Sequence, residues 1–431
     1  MLNLDSNDRH CQWRPIRATA NILLLLLSPV CCLQALNAQT GFPFDLPKER
    51  PNQKLSAAME RNYSAYRAPR PEDNELYSQF EYTALQGFDY HNGDGTISRR
   101  DPSKVVFENG QYYVWYTKRE SPTPPQGPDA CSDTIPSSDW DLADIWYATS
   151  DDGFTWKERG IAVPRPAKPS LGWRSVCTPD ILVWKGKYFL YYQAFMDASG
   201  KRGDDCSVAL SYAGSPSGPW TAHNQVVIPN GPAGNWDQFS IHDPYPLVYK
   251  GRIYMYYKSD SDGVPNLVRM QGLAMADDPL GPFEKHPLNP VISSGHETAL
   301  FPFESGIAAL VDRDGNEHST IQYAADGVNF EIASITSLLP DAAGPFVADA
   351  FTDSGNGRGI SWGLSHFTNA TTWDTNHAIL ARFDCDLSLD VNDPDMKRTG
   401  DHFKPEVYFQ QGLSRAQRTR IEAANQIHIQ K

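Results

Sequence analysis

The sequence lacks several features that would assign a class at once. It has no apolar run approaching the ~20 residues of a membrane-spanning helix, because ILLLLL at 22–27 is too short to cross a bilayer. It is short of basic residues: 38 Lys and Arg stand against 52 Asp and Glu, a formal net charge of -14, which argues against nucleic acid or an anionic membrane as partner. None of its seven cysteines stands in CxxC or zinc-ligand spacing, so redox chemistry and a zinc cluster are not suggested. No long helical period runs between residues 80 and 390, which leaves sheet as the main element.

The first stretch reads as a leader. Arg9, Arg14 and Arg17 precede the apolar run, and LQALNAQT supplies small residues for cleavage near Ala38, the pattern of a secretory signal peptide over 1–38. That segment holds three Arg and two Asp, so its removal takes the net charge from -14 to -15. The expected location is the periplasm; Cys31 offers a lipoprotein anchor as the alternative, although Val30 before it fits poorly. Cys131, Cys177, Cys206 and Cys385 remain in the mature chain as structural thiols or up to two disulfides.

An internal repeat carries the fold. GQYYVWYT from Gly110, GKYFLYYQ from Gly186 and GRIYMYYK from Gly251 align without gaps, each preceded by a valine and an aromatic residue, so each reads as a β-hairpin. The glycines are 76 and 65 residues apart, a spacing suited to four-stranded blades. A weaker copy turns at Gly306, and a fifth unit is read in FVADAFTDSGNGRGISWGLSHF, closed by a strand near Phe80 to Leu85. The expectation is an all-β, five-bladed β-propeller over 79–400, with an N-terminal helical arm over 39–78 and a C-terminal extension over 401–431 whose SRAQRTRIEAANQ reads as a short basic helix. TSDDGFTW at 149–156 matches an Asp-box turn, a structural element.

The repeat also places acids. Counting back from each turn glycine, Asp101 stands nine residues before Gly110, Asp180 six before Gly186, Asp243 eight before Gly251 and Glu297 nine before Gly306. On the innermost strand of each blade these stations ring one axis, so four carboxylates converge on a channel mouth, where crowded like charge is costly unless used. His242 and His296 stand beside two of the acids, and alternation turns only one member of each pair inward unless the chain bends. The loop DYHNGDGTISRRDPSK resembles a calcium loop at Asn92, Asp94 and Asp101, but Tyr90 occupies its first ligand position and Pro102 replaces the exiting helix. No cofactor is required on this reading, and a divalent cation is only an option.

At RRDPS, CTPDI, IHDPYP, GHETALFPF and SAAMER the chain resembles glycoside hydrolase family 117, the α-1,3-(3,6-anhydro)-L-galactosidases. The resemblance implies an exo-acting, inverting hydrolase that releases 3,6-anhydro-L-galactose from neoagaro-oligosaccharides. It implies Asp101 as general base, Asp243 as the group that tunes the acid, and His296 as general acid. Thr178, Asp180, Gln193, His242 and Glu297 would hold the sugar, with Trp140 as a stacking wall; at Asp180 the family favours the longer Glu. Ser56, Ala58 and Arg61 match the pattern of a helix-turn-helix arm exchanged in a homodimer. Residue spacing alone names Glu297 as the acid; a bend at Gly295 would present both it and His296.

Two rivals stand beside this reading. One is another five-bladed glycosidase, such as an α-L-arabinofuranosidase with Glu297 as acid. The other is a sugar-binding propeller without catalysis, against which the differing chemistry of the four stations argues.

Overall fold

The computed structural model describes residues 41–398 apart from 67–68, 70–73, 202–204, 261–268, 314, 316, 337, 349, 354 and 370–375. The leader and the basic C-terminal helix lie outside the described residues. The body is nearly all β. Among the described residues of the arm one α-helix occurs, α1 (Ala57–Arg61), where a helix pair was expected. Ser56 caps α1 by accepting from the Met59 amide, and its own hydroxyl donates to the Pro290 carbonyl at 2.5 Å. Arg61 closes the contact through Glu317 at 2.8 Å and the Phe330 carbonyl at 2.6 Å, so the arm packs on its own chain.

After β1 (Glu81–Ala84), the first unit contains β2 (Ile97–Arg100), β3 (Val106–Glu108), β4 (Gln111–Glu120), β5 (Asp144–Ser150) and β6 (Trp156–Val163); β2 and β3 both pair with β4. The second is β7 (Ser175–Trp184), β8 (Lys187–Phe195), β9 (Cys206–Ala213) and β10 (Thr221–Ala222), and the third is β11 (Ser240–Tyr249), β12 (Arg252–Asp260), β13 (Gln271–Ala276) and β14 (Glu284–Lys285). The fourth is β15 (Ala299–Glu304), β16 (Gly306–Val311), β17 (Thr320–Ala324) and β18 (Glu331–Ile335). Then come β19 (Gly344–Pro345), β20 (Gly357–Asn369) and β21 (His377–Ser388), with β1 pairing antiparallel to β21. β15 and β20 join these last two groups through only two residue pairs.

The hairpins follow from local chemistry. Asn109 and Gly110, Lys185 and Gly186, and Lys250 and Gly251 all take positive φ, the backbone of a two-residue type I′ turn, which matches strand twist and favours glycine second. The fourth copy differs. Phe303 pairs with Gly306, so Glu304 and Ser305 form its turn and Gly306 opens β16, where a side chain would meet the Ala324 carbonyl at 2.4 Å. Between sheets the aromatic and branched residues of the repeat close the core; Trp115, Tyr116, Tyr191, Leu247, Met255, Tyr256 and Phe301 are all buried. Each such side chain contributes roughly 1.5–3 kcal/mol relative to exposure.

Candidate active site

The hairpin registers correct the count of stations. Measured back from the second turn residue, Gly110, Gly186, Gly251 and Ser305, the residues of positive φ stand nine, eight, eight and eight positions upstream: Asp101 (φ 51), Thr178 (φ 47), Asp243 (φ 46) and Glu297 (φ 62). Thr178, not Asp180, is therefore the second station. The physical reason is a bulge: the register of β7 shifts between Cys177 and Asp180, as that of β11 shifts between His242 and Tyr245, and Thr178 and Asp243 within these shifts both line a cavity. Ala342 (φ 44), just before β19, is a fifth such position. Left-handed backbone at a non-glycine residue costs on the order of 1–3 kcal/mol, and strain of this kind clusters at functional sites.

All five positions, each with the residue after it, line one cavity of about 40 Å³: Asp101 and Pro102, Thr178 and Pro179, Asp243 and Pro244, Glu297 and Thr298, Ala342 and Ala343, with Asp180 and Tyr245 completing the wall. Asp101 is buried and accepts from Arg100 Nε at 3.0 and 3.1 Å, from Thr117 at 3.2 Å and from Thr178 Oγ1 at 3.1 Å. Its amide donates to His366 Nδ1 at 3.3 Å; burial, followed by the Arg100 charge, lowers the pKa of that ring.

Arg100 is the hub that the motif RRDPS did not reveal. It reaches Asp101, Asp139 at 3.1 Å and Glu297 at 3.2 Å, and its guanidinium stands 4.7 Å from the centre of the Trp140 ring. Burial opposes its charge, but the three carboxylates outweigh burial and hold its pKa well above the ordinary value. Trp140 thus presents one face to a protein cation and packs against Cys177, Phe195 and Cys206.

Glu297 and His296 come together because the chain bends at Gly295. There φ is 150°, and a side chain would lie 2.5 Å from Gln271 Cγ. His296 Nε2 stands 3.6 Å from Glu297 Oε1. Arg269 Nη1 lies 3.3 Å from His296 Nδ1, and a guanidinium can only donate, so Nδ1 accepts and Nε2 carries the ring hydrogen. Burial works against the charge of Glu297, but His296, Arg313, His366 and Arg100 together hold its carboxyl well below the usual range. Glu297 is therefore ionised and has no proton to give near neutral pH.

Asp243 accepts from the Gln193 amide and pairs with Lys258 Nζ at 3.2 Å; burial is outweighed by Lys258, His296 and His242, so its pKa falls. His242 turns from the cavity, its Nδ1 3.9 Å from Asp260 and its ring edge-on to Phe195. Asp180 is engaged by the protein: one oxygen accepts the amides of Lys104 at 2.9 Å and Ile181 at 2.8 Å, the other pairs with Lys104 Nζ. Burial raises Asp180 and lowers Lys104, each opposed by its partner.

Asp101, Thr178, Asp180, Asp243 and Glu297 are therefore brought to one cavity. His296, Gln193 and Trp140 stand around them, and His242 lies behind. Arg100, Lys258, Arg269 and His366 escaped sequence reasoning because only the meeting of distant strands gives them partners. The calcium-like loop does not gather its acids: Asp94 accepts from the amide and hydroxyl of Thr96, whereas Asp101 belongs to the buried cluster. Among the described residues Asp101, Glu297 and His366 have the proximity of a cation site, but Arg100 already supplies their positive charge.

No family model and no curated protein matches the chain. Among solved structures it is similar to Zg3597, a family 117 glycoside hydrolase produced by the marine bacterium Zobellia galactanivorans, at 63% identity over 79% of this chain and 100% of that one, with a TM-score of 0.74. A structure described as a glycoside hydrolase is 12% identical over 72% of this chain and 92% of its own, with a TM-score of 0.49. A thermostable family-43 glycoside hydrolase is 14% identical over 71% and 91%, with a TM-score of 0.45.

Proposed function

The chain belongs to glycoside hydrolase family 117, and from that premise we propose that it is an exo-acting, inverting hydrolase that removes 3,6-anhydro-L-galactose from the non-reducing end of neoagaro-oligosaccharides. The observation that carries the reading is the division of labour at the cavity: a carboxylate at Asp101, an ionised Glu297 and a hydrogen-bearing His296 stand together with different partners. Inversion needs a base for water and a separate acid for the leaving oxygen. Asp101 takes the base role. His296 takes the acid role because Glu297 is held ionised. To give up a proton and remain neutral, the ring must first hold a second proton on Nδ1, so Arg269 has to release it and turn wholly to Asp260, with which it already pairs at 3.1 Å.

Asp243, tied to Lys258, steadies charge beside His296, while Glu297, Thr178 and Gln193 offer hydrogen-bonding groups to the sugar and Trp140 a wall. Asp180 and His242 act on the sugar through their neighbours in this reading. Five blades around the cavity axis, a homodimer through the arm at Ser56, Ala58 and Arg61, and export to the periplasm complete the proposal. Hydrolysis of neoagarobiose by the purified mature protein, with an aryl arabinofuranoside as control, tests the substrate. Light scattering of the same sample tests the dimer.

A further inference from the structure

The cavity at the meeting of the five stations holds water-sized space. At about 40 Å³ it has room for roughly three waters, taking about 10–15 Å³ of such space for each. Much of its wall is apolar, formed by Pro102, Pro179, Pro244 and Ala343, yet four buried polar atoms of its lining residues make no hydrogen bond within the protein, Asp243 Oδ2, Tyr245 Oη, Glu297 Oε2 and Thr298 Oγ1. Asp243 Oδ2 faces Lys258 Nζ at 3.2 Å, which leaves Tyr245 Oη, Glu297 Oε2 and Thr298 Oγ1, on residues 8%, 8% and 5% exposed. Leaving such atoms unsatisfied costs roughly 1–3 kcal/mol each, more for a charged oxygen. Asp101 lines the same space.

We propose that this cavity is a built water site that supplies the hydrolytic water to Asp101; the inference rests on Asp101 being the general base. Glu297 Oε2 accepts from one water, and Thr298 Oγ1 donates to or accepts from a second. The apolar walls confine both beside the Asp101 carboxylate. In the reaction a lone pair of the water oxygen forms the new bond to the anomeric carbon. The glycosidic carbon–oxygen bond breaks with its electron pair to the leaving oxygen, which takes a proton from the acid. The attacking water gives its own proton to Asp101. One water is consumed per turnover and a neighbour in the cavity replaces it, so the sugar can cover the mouth while the nucleophile is already inside.

Two variants and a crystal structure of the full mature chain test this. Thr298→Val keeps the volume and removes the hydroxyl; Ala343→Leu fills the space. High-resolution density for ordered waters at roughly 2.7–3.2 Å from Glu297 Oε2 and Thr298 Oγ1 is expected. Both variants should lose kcat, about tenfold or more for Ala343→Leu, with KM nearly unchanged, because water supply rather than sugar binding is impaired. If Ala343→Leu does not fold, Thr298→Val carries the kinetic test. A dry cavity, a metal ion in place of water, or unchanged kcat in the folded variants overturns the proposal. Asp101→Asn, measured alongside, separates the two readings. Its full activity would remove the base assignment itself, whereas its inactivity beside fully active cavity variants would leave the base standing and discard the water site.

Discussion

The hydroxyl of Thr178 donates to Asp101 Oδ2 over 3.1 Å, joining two stations that lie 77 residues apart in the chain. Each takes a left-handed backbone, so the contact comes from the same local distortion made twice. With Arg100 and Thr117 it holds the Asp101 carboxylate in one orientation.

Asp101→Asn should lower kcat on the order of a thousandfold, from loss of the base and of charge, while the melting temperature stays near that of the parent. Thr178→Val should cost about tenfold, since orientation is weakened and the base remains. Proton NMR at early times should show the inverted anomer first; a retained anomer would end the water-activating role.

His296→Ala should lose most activity on neoagarobiose yet keep much of it on a nitrophenyl glycoside of the same sugar, whose leaving group needs no proton. Glu297→Ala should lose both alike, because an ionised sugar ligand serves every substrate. The opposite pattern would return the acid to Glu297.

Asp312 shows how the crowding of acids reaches stability. Burial raises its carboxyl to about 7, with Arg313 opposing and Glu297 adding to the rise. The folded value thus lies above the unfolded ~3.9, so its stabilising contribution is full below that pH and is lost as pH rises through about 7. Asp312→Asn lacks this loss. Relative to the variant, the parent should therefore fall in stability between pH 4 and pH 8, by up to roughly 4 kcal/mol, as read by urea unfolding across the window. A constant difference across that range would refute the raised value.

The Lys104 and Asp180 pair is buried on both sides. Lys104→Met or Asp180→Ala alone leaves one charge without its partner and should cost about 3–5 kcal/mol, whereas Lys104→Met with Asp180→Leu should recover much of that loss. Chemical denaturation of the three variants decides it; a loss in the double variant equal to the sum of the two single losses would show that the pair is not coupled.

Much of the molecule was legible in the chain. Turn glycines and aromatic strands state the hairpins because a type I′ turn and a half-buried strand are local demands, met by residues a few positions apart. The motifs at Asp101, Asp243 and Glu297 were legible for the same reason, each standing eight or nine residues before its own turn. Counting from glycines places the second station at Asp180 rather than at Thr178, which only the family resemblance names as a sugar ligand, because the count favours the conspicuous acid and cannot see the bulge between Cys177 and Asp180. The fourth turn likewise falls on Glu304 and Ser305 rather than on Gly306, which strand pairing decides.

Only the tertiary structure decided the charges. Whether Glu297 holds a proton depends on its neighbour His296 and on Arg313, His366 and Arg100, residues scattered over the chain whose fields act only once the inner strands converge. The tautomer of His296 depends on Arg269 in the same way. The sequence by itself determined which groups stand at the ends of which strands, because strand and turn preferences act over a few residues. Burial and long-range charge, which exist only in the folded chain, decided which of those groups can give a proton and which can only receive one.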